Sequence, residues 1–244
     1  MSTNDVLLVS RQAQVCELTL NRPSAGNALN QALHDALFTA LGRAASDNTV
    51  HAVVLGAAGE TVFSAGADLK EFSELPGGEM AMRRRALLMR TLLAMLDFPK
   101  PLICMVAARA IGAGAMLGLV ADQTVAADSA RFSFPEISLG MPSPVGAELI
   151  LARSGRSAVQ RMIQNGEVIA ADEALRLGLV DAVVSREALA EQVHLRASAA
   201  KSGRVYAGNK QWINRHLRHE LEQAALAAAR LSQGLAPIEN LHAT

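Results

Sequence analysis

At 244 residues the chain has room for one sizeable domain or a domain with an appendage, and with half its residues hydrophobic it can bury a large core. Its 23 basic and 23 acidic side chains cancel, which excludes the global positive field of a protein that grips nucleic acid mainly through phosphates. Only Cys16 and Cys104 are present, each in an apolar strand-like run, so both read as reduced, buried thiols in cytosol rather than as a disulfide or a metal site.

The opening MSTNDVLLVSRQ has no basic segment followed by a long apolar run, so no secretory signal is read there. Val6 to Val9 and Val15 to Leu20 are apolar runs separated by Ser10-Arg11-Gln12, which predicts a hairpin with a wet turn. In NRPSAGNALN, Pro23 and Gly26 break the strand and Asn30 is placed to cap a helix whose Leu33, Leu37, Ala40, Leu41 and Ala44 share one face. His34 lies off that stripe and reads as a solvated surface histidine. Val50 to Leu55 is the next strand.

After a loop comes FSAGADLKEF, residues 63 to 72, where Gly66 permits close approach of another backbone or a ligand and Asp68 can cap the turn that follows. Gly77-Gly78 open a long helix-like run carrying Met82, Leu88, Leu92, Leu93 and Leu96, interrupted by Arg83-Arg84-Arg85, which reads first as a solvated or subunit-facing surface, with a phosphate contact as the alternative. Pro99 and Pro101 then deliver the chain into strand Leu102 to Val106. The apolar stretch from Leu102 to Ala121 has the length of about twenty residues that a bilayer needs. Its three glycines, and its change from β-rich to small residues, fit a buried strand followed by a buried helix instead.

Residues 110 to 136, AIGAGAMLGLVADQTVAADSARFSFPE, repeat the device of residues 63 to 72. A strand-like run enters small residues and then a helix-like run, so backbone N–H groups can converge on one ligand atom, an arrangement suited to an oxyanion. Gly112 to Gly118 also approximates a dinucleotide fingerprint, but only Ala115 to Ala121 is available for the helix before Gln123 to Ala127, too little for that fold. Asp128 to Arg131 makes a turn, and Phe132-Ser133-Phe134 reads as an edge-like strand ending at Pro135-Glu136. Glu136 is the nearest following side chain able to move a proton, which points to an enzyme that stabilises an enolate. Ala147 to Arg153, Ser157 to Asn165 and Ala171 to Leu177 read as short packing helices.

From Arg186 the sequence turns helical, alanine-rich and charged, which predicts a helical appendage. Six Lys or Arg and no acid lie between Arg196 and His219. Such a strip could meet phosphates, with Lys210 and Trp212 the first residues to consider.

The motifs NRPSAGNALN, FSAGADLKEF, AIGAGAMLGLVAD, FPEISLG and NGEVIAADEALRLGLVDAVV, in this order and spacing over about residues 6 to 185, resemble those of the crotonase, or enoyl-CoA hydratase/isomerase, family. The resemblance implies an α/β crotonase-like spiral of repeated ββα units, residues 1–185, and a C-terminal helical region, residues 186–244, that packs and oligomerises. It also implies a homotrimer or hexamer in the cytoplasm and an acyl-CoA thioester substrate, with no metal, no other cofactor, and neither membrane nor nucleic acid as partner. The family's two oxyanion-hole donors map onto the backbone of Ala67 and Ala113, with Glu136 as catalytic acid/base. CoA would run along Ala65, Gly66, Asp68 and Leu69, past Gly112 and Met116, with Lys210 toward its phosphates.

Family hydratases use two glutamates, and Met116 stands at the first position. A thioether can neither hold nor deliver a proton, so two-carboxylate hydration is not expected. Phe134 and Ser143-Pro144 likewise depart from the hydratase pattern, which implies an altered acyl pocket. One base beside an oxyanion hole suits double-bond migration, so an isomerase-like enzyme is expected first. A hydratase or decarboxylase of the same family is the enzymatic alternative, and an acyl-CoA or RNA-binding protein without chemistry is the alternative of another class. Glu148, twelve residues beyond Glu136, is the next carboxylate.

Overall fold

The structure, a computed structural model, describes residues 5–234. In chain order its regular elements are β1 (Leu7–Gln12), β2 (Val15–Leu20), α1 (Gln31–Ser46), β3 (Ala52–Ala57), β4 (Val62–Ser64), α2 (Gly77–Leu96), β5 (Leu102–Val106), β6 (Arg109–Ile111) and α3 (Ala113–Val120). There follow β7 (Gln123–Ala127), β8 (Arg131–Ser133), α4 (Pro144–Arg153), α5 (Arg156–Val159), β9 (Ile169–Ala170), α6 (Ala171–Arg176), β10 (Ala182–Val184), α7 (Arg186–Ala199) and α8 (Arg204–Ser232).

Two strands and a helix recur along the chain, and the recurrence builds two sheets side by side. In the three middle units, β3-β4, β5-β6 and β7-β8, the first strand joins a six-stranded sheet, ordered β1-β2-β3-β5-β7-β10, while the second joins a four-stranded sheet, ordered β4-β6-β8-β9. Units add in parallel, β3 beside β5 beside β7 and β4 beside β6 beside β8, so each turn of chain advances one strand in both sheets. This is the crotonase-type spiral, closed at its end by helices.

Alternation along the strands divides the core in two. Val53, Leu55, Leu102, Cys104, Val106 and Ala126 enter the larger cluster with α1, α2 and α3, whereas Ala52, Val54, Ile103, Val125 and Ala127 point to the opposite face. There α7 covers them with Leu189, Val193 and Ala197. Period two in the strands and nearly four in the helix are the spacings the two surfaces require. Both cysteines are buried and free. Helix α8 packs across α4 and α2 on the other side.

Several local expectations change. The polar Ser10-Arg11-Gln12 belongs to β1, and the turn is Ala13-Gln14, with Ala13 at φ 52°. Phe132-Ser133 is an interior strand, because β9 pairs with its outer side. His34 is buried, 3% exposed, with Nδ1 2.7 Å from Thr91 Oγ1. It was misplaced because α1 is covered on two sides, by the sheet and by α2, so the buried arc is wider than the aliphatic stripe.

Candidate active site

The loop after β2 positions the first backbone turn. Asn27, fully buried at φ 52°, donates from Nδ2 to Ala58 O and Val62 O, and its Oδ1 accepts from Arg22 N. Ser64 Oγ donates to Asn27 O at 2.9 Å and accepts from Gly66 N at 3.2 Å. Arg22 reaches Asp68 Oδ2 at 3.0 Å. Leu29 bridges Ala67, receiving Asp68 N–H and donating to Gly66 O. Ala67 N–H therefore stands in a fixed turn, and among the described residues it donates to no protein acceptor.

The second turn is built on glycine. Gly112, at φ 51° and ψ −121°, precedes α3, so Ala113 N–H is one of the helix's unpaired first donors. Gly66, at φ 88°, packs flat on this turn, where a Cβ would lie 2.7 Å from Ile111 O and 3.3 Å from Ala113 N. A Cβ at Gly114 would lie 2.5 Å from Ser64 O. Only bare backbone allows the two turns to touch. In one respect they differ from the helix-like run read directly after Gly66: Leu69 to Leu75 forms turns, while α2 begins at Gly77, where the sequence placed it. The Ala67 donor is therefore oriented by hydrogen bonds and the Ala113 donor by a helix.

Both turns open into a cleft of about 430 Å³. Ala65, Gly66, Ala67, Leu69, Gly112, Ala113, Met116 and Glu136 all line it. Glu136 follows Pro135 in a 3-10 turn, and its Oε1 would be 2.6 Å from a Cβ on Gly112, so the carboxyl lies against the turn that presents Ala113. Its Oε2 is buried and has no partner among the described residues. Burial raises its pKa above the usual carboxylate range, opposed by a weaker backbone hydrogen bond. Met116, 4% exposed, sits one turn into α3, its N–H bonded to Gly112 O. Phe134 is buried against Gly146, and Ser143-Pro144 start α4 at the cleft wall.

Three expected contributors lie elsewhere. Asp68 caps Lys70 N and pairs with Arg22, so it props the loop and does not line the cleft. Lys210 is 6% exposed, held by Asp122 Oδ2 at 2.8 Å, Met95 O at 3.3 Å and the Phe98 ring. It lies eighteen residues before Ala228, the α8 residue that does line the cleft, or roughly 27 Å along the helix. Within this chain it is a packing cation; its charge is spent on Asp122, which also caps Leu102 N. Glu148 sits on α4, with its pKa raised by burial and by Glu220 of α8, away from the cleft. Elsewhere in the basic strip, Arg218 pairs with Asp97 and Glu222, and Arg215 stacks on Trp212, 3.7 Å from its ring centre. Two of the strip's six cations are thus ion-paired within the chain.

Other cleft residues escaped the sequence reading. His34, Glu71, Arg84, Arg85 and Leu88 line it, and so does Ser232 at the end of α8. Leu88 was read only as an apolar helix position and Arg84 and Arg85 as part of a charged run, because spacing alone does not tell which face of α2 looks on a cavity.

A family model described as enoyl-CoA hydratase/isomerase matches residues 10–237. A 2,3-dehydroadipyl-CoA hydratase of Escherichia coli strain K12 is 42% identical over 178 residues, covering 72% of this chain and 68% of that protein. A short-chain-enoyl-CoA hydratase of Clostridium acetobutylicum is 33% identical over 228 residues, covering 92% and 86%. Among solved structures, an enoyl-CoA hydratase of Mycobacterium smegmatis superposes with a TM-score of 0.82 at 35% identity, covering 94% of this chain and 90% of that one.

Proposed function

The chain belongs to the enoyl-CoA hydratase/isomerase family, and from that premise we propose that it migrates the double bond of an enoyl-CoA thioester, with Glu136 as the single acid/base. The observation that carries this reading is the buried carboxyl of Glu136, its Oε2 without a partner among the described residues, beside the Ala113 turn, with Met116 where a second carboxyl would be needed to add water. Glu136 takes a proton from C2 of a 3-enoyl thioester, the electron pair moves onto the thioester oxygen, and the carboxyl returns the proton to C4 as a 2-enoyl thioester forms. Ala67 and Ala113 N–H groups receive the oxygen as its charge grows. They are rigid before the reaction begins, so their orientation is not a cost of the step, and loss of one such donor typically lowers the rate about a hundredfold or more. Burial serves the same end: a dry carboxyl holds an abstracted proton instead of activating water.

CoA enters as the carrier half of the substrate, along the backbone of Ala65 to Leu69, and the chemistry asks for no further cofactor. No helix among the described residues is long and apolar enough to cross a membrane. The exposed Val205, Trp212 and Ile213 of α8, together with the family likeness, support assembly as a trimer or a pair of trimers.

Hydration is the second reading, favoured by the names of the relatives. It requires Glu136 to activate water unaided. The Escherichia coli relative is named for a dehydroadipyl thioester, an acyl chain that ends in a second carboxylate. Replacing Glu136 by Gln keeps the shape and removes the base. The variant is expected to lose at least a thousandfold in kcat on a 3-enoyl-CoA while binding free CoA within a few fold of wild type. Full activity in Glu136→Gln contradicts the assignment.

A further inference from the structure

The wall of the cleft carries two cations that the chemistry above does not use. Arg84 and Arg85, both half-buried on α2, line the same cavity as Glu136. Arg85 donates from Nη2 to Ala228 O at 3.2 Å and to Ser232 Oγ at 3.0 Å, both neutral acceptors on α8. No carboxylate among the described residues lies within ion-pair distance of either guanidinium, although Arg83, Arg90, Arg153, Arg161 and Arg218 all have one. The cleft's other acid, Glu71, is turned to Gln31 N at 2.8 Å. Half-burying a guanidinium without a counter-charge is costly, and burial lowers the pKa of Arg85. Around the pair the wall is hydrocarbon: Met80, Ala81, Leu87 and Leu88 on α2, and Val145 on α4.

We propose that Arg84 and Arg85 receive a carboxylate at the far end of the acyl chain, so that the substrate class is a thioester of a dicarboxylic acid. This rests on the acyl-CoA reading of the cleft. Apolar contacts from α2 and α4 suit methylene groups, and two guanidiniums in the same wall match the planar, two-oxygen geometry of a carboxylate. The CoA phosphates are the other possible anion. They are expected along the backbone of Ala65 to Leu69, whereas Arg85 is tied to Ala228 and Ser232 of α8. A substrate carrying a methyl at that end would leave both cations unpaired, which is how a site built for a polar group rejects its apolar analogue.

The test is calorimetric binding of adipyl-CoA, hexanoyl-CoA and free CoA to the full chain; the two saturated thioesters cannot isomerise and differ at the acyl terminus. Wild type is expected to bind adipyl-CoA at least tenfold more tightly than hexanoyl-CoA, and Arg84→Leu to bring that ratio close to one with free CoA unaffected. Arg85→Lys, which keeps a donor for α8, is expected to reduce the ratio several fold. Equal affinity of wild type for the two thioesters overturns the proposal, as does an Arg84→Leu variant that weakens all three ligands equally, since the arginines would then serve the phosphates. Failure of wild type to bind any of the three would instead contradict the acyl-CoA reading itself.

Discussion

Glu136 owes its placement to two neighbours that were visible as letters: Pro135, which opens its 3-10 turn, and Gly112, whose missing Cβ makes room for the carboxyl. Because burial raises its pKa, the folded protein keeps this proton to higher pH than the unfolded chain does. Its contribution to stability is present at low pH and is lost as pH rises through the raised value. Glu136→Gln is therefore expected to melt at a higher temperature than wild type at pH 8, with the difference shrinking toward pH 4, as a calorimetric series would show. Wild-type kcat/KM should rise with pH on a limb displaced above the ordinary carboxylate range, since the base acts deprotonated. His34 behaves in the opposite sense. Burial, aided by Arg90, lowers its pKa from 6.5 to about 4, so the unfolded chain takes up a proton that the fold refuses. Stability should fall as pH drops from about 6.5 toward 4, by on the order of 3 kcal/mol, and His34→Gln should flatten that fall in urea titrations. Neither effect was legible in the sequence for His34, because its burial depends on α2 arriving from more than forty residues away. For Glu136, by contrast, Pro135 and the turn glycines supplied local signals.

At the scale of elements, the two turns were readable because both need glycine at a contact too close for a side chain, a demand that leaves a local mark. The helix expected after Gly66 was not, since Asp68, Lys70 and Glu71 can serve a capped turn as well as a first helical turn. Arg84 and Lys210 exchanged places for a related reason. Charge on a helix reads as exposed, and only tertiary packing shows that α8 lays Lys210 on Asp122 while α2 turns Arg84 toward the cleft. The ion pair, 5% and 19% exposed at its two side chains, fastens α8 to the loop after α3. Lys210→Met leaves Asp122 buried with less compensation and is expected to cost about 3 to 5 kcal/mol in urea unfolding. Asp122 still caps Leu102 N, so removing both partners should cost more than removing the lysine alone. A Lys210→Met protein as stable as wild type would mean that α8 is held by its apolar contacts alone.

For the whole molecule, the period-two strands and the recurring strand-strand-helix cadence place one core on each face of the six-stranded sheet, and the cleft opens where two units of the spiral bring their turns together. The larger arrangement was legible because each unit buries the same pattern. What α8 covers was not, since an amphipathic helix does not announce whether its partner is the same chain. Its exposed Val205, Trp212 and Ile213 lead us to expect a species at three or six times 25.7 kDa in sedimentation at micromolar concentration, and a persistent monomer would contradict that. The central claim is one base without a second acid, and it is tested most directly by giving wild-type protein 3-enoyl-CoA and 2-enoyl-CoA in parallel and following product mass. The account predicts rapid conversion of the first with no change in mass and little gain of water by the second; rapid hydration of the 2-enoyl thioester would contradict it.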